Sequence, residues 1–215
     1  MEEKRFIYVA FLSTPYRIGK LIRRVTGFPY NHTAVSLSPE MRYLYSFSRH
    51  YKNAPFYGGF TKESVLRYRH KGETAMMKIC AVPVSEENYR KAKKRLEFLA
   101  NNSEEHIYNM ISAACFPFKT RVRIKSSFTC VEFVLNMLQK YANIPTLQNK
   151  KFCSIKELSE LLETFAVYEG SAEKFLKNAC WEGDTFPDEK GKLFYWKKTA
   201  LNNGKLVYRF VKRQK

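Results

Sequence analysis

Thr129-Cys130-Val131-Glu132 is the segment that most restricts what this chain can become. A Thr and a Glu three residues apart have the spacing of a helix capping box, in which each side chain satisfies the other's backbone amide. The pattern therefore predicts a helix beginning at Cys130, with Val134, Leu135, Leu138, Tyr141 and Ala142 on its apolar stripe. A cysteine there faces unpaired backbone amides and the positive end of the helix dipole, the surroundings in which a thiol ionises most readily. A histidine close to it would complete the equipment for nucleophilic chemistry, and His32, followed by Thr33-Ala34-Val35, is the best candidate.

Composition narrows the setting. At 215 residues, 45% of them hydrophobic, with 17 Phe and 14 Tyr, the chain can bury a substantial core and is expected to form a single domain over residues 1–215. Residues 143–215 are the less regular part and read as an extension of it. Thirty-eight Lys and Arg against 20 Asp and Glu leave a net charge of +18, which predicts attraction to an anionic membrane or another polyanion. No nucleic-acid motif accompanies that charge. The opening residues lack a secretory pattern, and no segment approaches the roughly 18 apolar residues of a membrane span, so a cytoplasmic protein, peripheral to a membrane at most, is expected. Five cysteines, an odd number without a CxxC pair, suit free thiols in a reducing compartment; neither a metal site nor a cofactor is expected. Cys80, Cys115 and Cys180 read as inert, and Cys153, just before the Ser154 cap, is the competitor to Cys130.

The local patterns order the elements. Residues 5–13 read as a buried strand. Thr14-Pro15 reads as the start of a short helix through Arg24, with Ile18, Leu21, Ile22 and Val25 on one side and Arg17, Lys20, Arg23 and Arg24 forming a solvated face on the other. Residues 32–37 and 43–49 form a hairpin in which Tyr43, Tyr45 and Phe47 point away from Leu44, Ser46 and Ser48. Residues 53–60 read as a glycine-aromatic loop and residues 73–84 contain another strand. Ser85 caps a helix to about Ala100, and Ser154 with Glu157 is a second capping box. Residues 181–192 read as a loop and residues 205–211 as a last strand. In the basic segment Lys119, Arg121, Arg123 and Lys125 alternate with Thr120, Val122 and Ile124, a spacing that could line one face with charge.

His-x-Ala-Val on a strand, followed much later by Phe-Thr-Cys-Val-Glu-Phe-Val at a helix start, resembles the circularly permuted branch of the NlpC/P60 papain-like superfamily, the YiiX-like proteins especially. The resemblance covers residues 5 to about 142. It implies an α+β permuted papain-like fold, an antiparallel sheet packed against helices that include the cysteine helix. It also implies a cysteine hydrolase (amidase, peptidase or acyl hydrolase) or an acyltransferase. Cys130 would be the nucleophile and His32 the general base, acting on a small peptide, an amino-acid conjugate or a lipid. The family orients its histidine with a polar group on the next strand, commonly Glu, and residues 45–50 here have no carboxylate. Ser46, Ser48 or His50 would have to take that role, and a weaker orienting group would make a less efficient catalyst. Tyr30, Asn31, Gly58 and Gly59 are the expected pocket walls. The alternative is a basic binding module on the same frame for anionic membrane or nucleic acid.

Overall fold

The computed structural model describes residues 4–178, 185–187 and 189–213. Its elements in chain order are β1 (Arg5–Ser13), α1 (Arg17–Thr26), β2 (His32–Ser36), β3 (Leu44–Arg49), β4 (Gly58–Glu63), β5 (Arg69–His70), β6 (Glu73–Thr74) and β7 (Met76–Val84). There follow α2 (Glu86–Asn101), β8 (Ile107–Tyr108), α3 (Met110–Ala114), β9 (Ser127–Phe128), α4 (Cys130–Tyr141), α5 (Pro145–Gln148), α6 (Ile155–Leu161), β10 (Ala166–Ser171) and α7 (Lys192–Arg213). The class is α+β. Eight strands form one sheet in the order β10-β7-β1-β2-β3-β4-β8-β9, and β5 pairs with β6 apart from it. The sheet is mixed, not purely antiparallel, because β8 and β9 run parallel.

The alternation of side chains across the strands sorts the interior into two layers. Ile7, Val9, Phe11, Val35, Phe47 and Phe60 meet α2, α4, α5 and α6 on one face. Ala10, Leu12, Ala34, Leu44, Met77 and Ile79 meet Val65, Tyr68 and Phe175 on the other. Phe47 touches Phe60 and Phe133 edge-on or tilted, at centroid distances of 5.7 and 5.4 Å, which seats α4 over β3 and β4. Rings packed in this way add roughly 0.5–1.5 kcal/mol per pair beyond their buried area.

Several elements differ from the sequence expectation for identifiable reasons. Residues 58–60, the end of the expected loop, instead open the strand β4, paired with β3 from Leu44↔Glu63 to Arg49↔Gly58. The two glycines are required by crowding: a Cβ on Gly58 would collide with the Ser48 carbonyl, and one on Gly59 with the His106 carbonyl that accepts from Phe60 N–H. Gly59→Ala is accordingly expected to lower stability by about 1–3 kcal/mol through forced backbone movement, seen as an earlier urea midpoint at unchanged m-value.

Residues 205–211 are helical, part of α7. Leu206 is buried and Phe210, one turn on, packs beside it, so helical spacing wins over the local aromatic and β-branched preference. The described residues of 181–192 before α7 are irregular; the others, with Cys180, lie outside the described residues. Helix α1 starts at Arg17 rather than at Thr14, whose hydroxyl instead accepts from Asn31. No helix among the described residues is long and apolar enough to cross a membrane.

Candidate active site

Helix α4 begins as the capping box predicts. Thr129 Oγ1 accepts from Glu132 N–H at 3.3 Å, and Glu132 Oε2 accepts from Thr129 N–H at 2.8 Å. Glu132 Oε1 is held in turn by Ser112 and, at 3.4 Å, by Arg121. Cys130 is thus the first helical residue, 6% exposed, with its own N–H among those a helix start leaves without an internal partner.

His32 opens β2 and is 8% exposed. The preceding residue anchors it: Asn31 Oδ1 accepts from Thr14 N–H at 2.9 Å and from Arg23 Nη1 at 2.8 Å, while Asn31 N–H donates to Leu12 O. The His32 ring is hydrogen-bonded through Nε2 to Glu63 Oε1 at 3.2 Å, and it shares the lining of one cavity with Cys130.

Glu63 is the residue that sequence reasoning missed. The resemblance points to an orienting group on β3, the strand beside β2, whereas Glu63 stands one strand further, at the end of β4. In the β3–β4 register Ser46 faces Thr61, and alternation puts Glu63 on that same face. Ser46 and Ser48 do not touch His32; they hold the carboxylate that does. Oε1 accepts from Ser46 Oγ and from Tyr68 OH, each at 2.6 Å. Oε2 accepts from Ser48 Oγ at 3.0 Å and lies 3.4 Å from Arg67 Nη1. The signal was available in Thr61-x-Glu63, a polar alternation in a strand whose glycines resemble a loop.

Burial would push the His32 imidazole down, but hydrogen bonds to Cys130 and Glu63, and the charges of both, outweigh it and lift His32 to about 9. Burial likewise pushes Glu63 up, and the bond and charge of His32, the Arg67 guanidinium and the Ser46 hydroxyl pull it down to about 2. The arrangement keeps a proton on the imidazole between a sulfur and a carboxylate. Burial, and then the charge of Glu63, raise Tyr68 well above the ordinary phenol range, so it remains a donor. Tyr108, raised by burial and by the charges of Cys130 and Glu132, also remains a phenol beside the thiol.

These groups sit at one cavity of about 270 Å³, whose lining includes Cys130, His32, Glu63, Tyr68 and Tyr108. Asn31, Ser48 and Gly58 line it too. Tyr30, expected as a wall, is instead in the core with its hydroxyl donating to Glu169, because its ring packs against Phe11 and Phe28. Gly59 is turned to the His106 backbone rather than to the cavity. The His50 ring lies tilted against Tyr57, centroids 4.8 Å apart, and burial and the Arg67 charge lower it to about 4. The remaining walls are mostly apolar, among them Ile18, Ile22, Phe56 and Met110, with Thr14, Tyr16 and Arg49 the polar exceptions. Set against known family models, curated proteins and solved structures, the chain matches none.

Burial raises both Cys80 and Cys153 to about 12, so neither competes as a nucleophile near neutral pH. Cys115 is half-buried, and all four described cysteines are free thiols. Arg121, one of the alternating cations, turns inward to Glu132, which breaks the uniform charged face that the spacing predicts.

Proposed function

We propose that this protein is a cysteine acyl hydrolase or acyltransferase of permuted papain-like architecture, with Cys130 as nucleophile, His32 as acid and base, and Glu63 as the group that orients and charges the imidazole. The observation that carries the proposal is that buried Cys130, His32 and Glu63 line one cavity, with His32 hydrogen-bonded to Glu63 and raised by its interactions with both neighbours. A thiol, an imidazole and a carboxylate in that order are what acyl transfer through a thioester requires.

The Cys130 sulfur, its proton held by His32, attacks the carbonyl carbon of an ester, thioester or amide. The carbonyl π pair moves to oxygen, where the Cys130 N–H and the Tyr108 phenol act as donors. Collapse breaks the bond to the leaving alcohol, thiol or amine, which takes the His32 proton, and an acyl-Cys130 thioester remains. Water, or a second acceptor, then loses a proton to His32 as it attacks the thioester, and the sulfur leaves to recover that proton at the imidazole. Glu63 takes no proton in this sequence; it holds Nε2 and stabilises the imidazolium. The largely apolar walls favour an acyl group with hydrocarbon character. Four free thiols suit the reducing compartment of a cytoplasmic protein.

Iodoacetamide labelling followed by peptide mass analysis tests the site directly. Cys130 is expected to be alkylated at pH 6.5 about tenfold faster or more than Cys80, Cys115 and Cys153, because it alone among them stands at a helix start in a cavity it shares with a histidine. His32→Ala should remove that advantage. Equal labelling of the four thiols in the native protein would sink the assignment.

A further inference from the structure

We infer that α1 is an interfacial helix that lays the mouth of the Cys130 cavity on an anionic lipid surface. The inference deepens the acyl-transfer reading, since it says where the acyl substrate comes from. Helix α1 is short, Arg17–Thr26, and contains no acidic residue. An amphipathic helix on a globular protein ordinarily turns its apolar stripe to the core. Here the stripe is outside: only Gly19 is buried, while Ile18 is 41% exposed, Leu21 58%, Ile22 38% and Val25 78%.

The reason is local. Gly19 packs so tightly on Thr14 and Asn31 that a Cβ would collide with both, and Arg23, next to it around the helix, donates to Thr14 O at 2.7 Å and to Asn31 Oδ1. The inward side of α1 is therefore the glycine and arginine side. At 100° per residue Leu21, Val25, Ile18 and Ile22 form one continuous outward arc, and Arg24 and Arg17 border it on the side away from Ile22. Lys20 stands beyond them and pairs with Glu73 at 3.1 Å.

Two observations select the occupant. The charge is complementary to anionic headgroups: an apolar arc edged by arginines, on a chain of net charge +18, is the composition of helices that lie in the plane of a membrane surface. The arc is also continuous with the cavity. Ile18 and Ile22, its edge away from the arginines, are themselves cavity walls, and Phe56, 54% exposed, is another. Insertion of Leu21 and Val25 among acyl chains would therefore bring lipid chains to the opening that leads to Cys130. Arg23 also hydrogen-bonds Asn31, the residue before His32, which ties the docked helix to the site.

Co-sedimentation with vesicles of phosphatidylcholine, alone or mixed with phosphatidylserine, tests the inference on the full chain. Wild type is expected to bind the mixed vesicles and to bind the neutral ones weakly. Leu21→Gln/Val25→Gln, which adds no charge and touches no cavity wall, should weaken binding on the order of tenfold or more. Lys93→Gln/Lys94→Gln, on the exposed side of α2, removes two charges and should weaken it far less. Cys130→Ala should bind as wild type does. Turnover of a water-soluble short-chain thioester should be unchanged in the Leu21/Val25 variant, while turnover of an acyl substrate embedded in mixed vesicles falls with binding.

Undiminished vesicle binding by the Leu21/Val25 variant would overturn the inference, and so would a wild-type dimer that this variant dissociates without loss of vesicle binding, since α1 would then be covered by a second copy. The two readings fail separately. Vesicle binding that depends on Leu21 and Val25 in a protein with no Cys130-dependent turnover keeps the docking helix and removes the enzyme. Cys130-dependent turnover of the soluble thioester with vesicle binding independent of α1 does the opposite.

Discussion

Glu63→Ala is expected to be the most damaging single substitution in this protein, lowering both stability and turnover. Its carboxylate is 1% exposed and collects contacts from His32, Ser46, Ser48, Tyr68 and Arg67. Removing one member of a buried charge network costs on the order of 3–5 kcal/mol, because the partner charges stay buried without compensation. Arg67 is the partner most exposed to that cost: it is 7% exposed, and its Nε already lacks a hydrogen-bond partner. Glu63→Gln separates the two effects. The amide keeps the volume and one acceptor oxygen, so the fold should survive in denaturant titrations, while the negative charge that favours the imidazolium disappears. The Cys130-dependent rate should then fall by roughly 10²–10⁴, the usual worth of a tuned acid–base partner. A Glu63→Gln protein with wild-type turnover would remove Glu63 from the site.

The parts of the fold legible in the sequence are those encoded by neighbours in the chain. Both capping boxes, at Thr129 and Ser154, formed with both of their reciprocal bonds, since a cap needs only residues three apart. The split between Tyr45 and Phe47 on one face and Leu44 and Ser46 on the other followed from period-2 alternation alone. What failed depended on residues far apart in sequence. Strand β4 was hidden because Gly58 and Gly59 read locally as a turn, and their actual reason, close approach of the Ser48 and His106 carbonyls, is invisible until strands pair. Losing β4 also lost Glu63. That is why the site looked deficient in a carboxylate when it holds one saturated with donors. Helix α1 shows the same limit from the other side. Its apolar arc was plain in the sequence, but which arc faces the core is decided by Gly19 and Arg23 meeting Asn31, a contact no periodicity reveals.

The pH dependence of turnover should carry the signature of the same network. His32 binds its proton more tightly in the fold, to about 9, than the ordinary histidine value of 6.5. Its stabilising contribution is therefore complete below about 6.5 and is lost as pH rises through 9. Glu63, lowered from 4.5 to about 2, contributes in full above about 4.5 and loses that contribution as pH falls through 2. Both contributions are present together between these limits, so stability against urea is expected to be greatest from about pH 4.5 to 6.5, as far as these two groups determine it. Activity has a different upper limit. The imidazolium that protonates the leaving group persists until about pH 9, so kcat/KM should hold through neutrality and then fall about tenfold per pH unit beyond 9. In Glu63→Gln the carboxylate no longer supports the proton, and this alkaline limb should move to lower pH. A role for Glu63 in stability alone predicts a smaller amount of folded protein with an unmoved limb. An alkaline limb already near 6.5 in the wild type would show that neither Cys130 nor Glu63 holds the His32 proton, and the proposed chemistry would lose its acid.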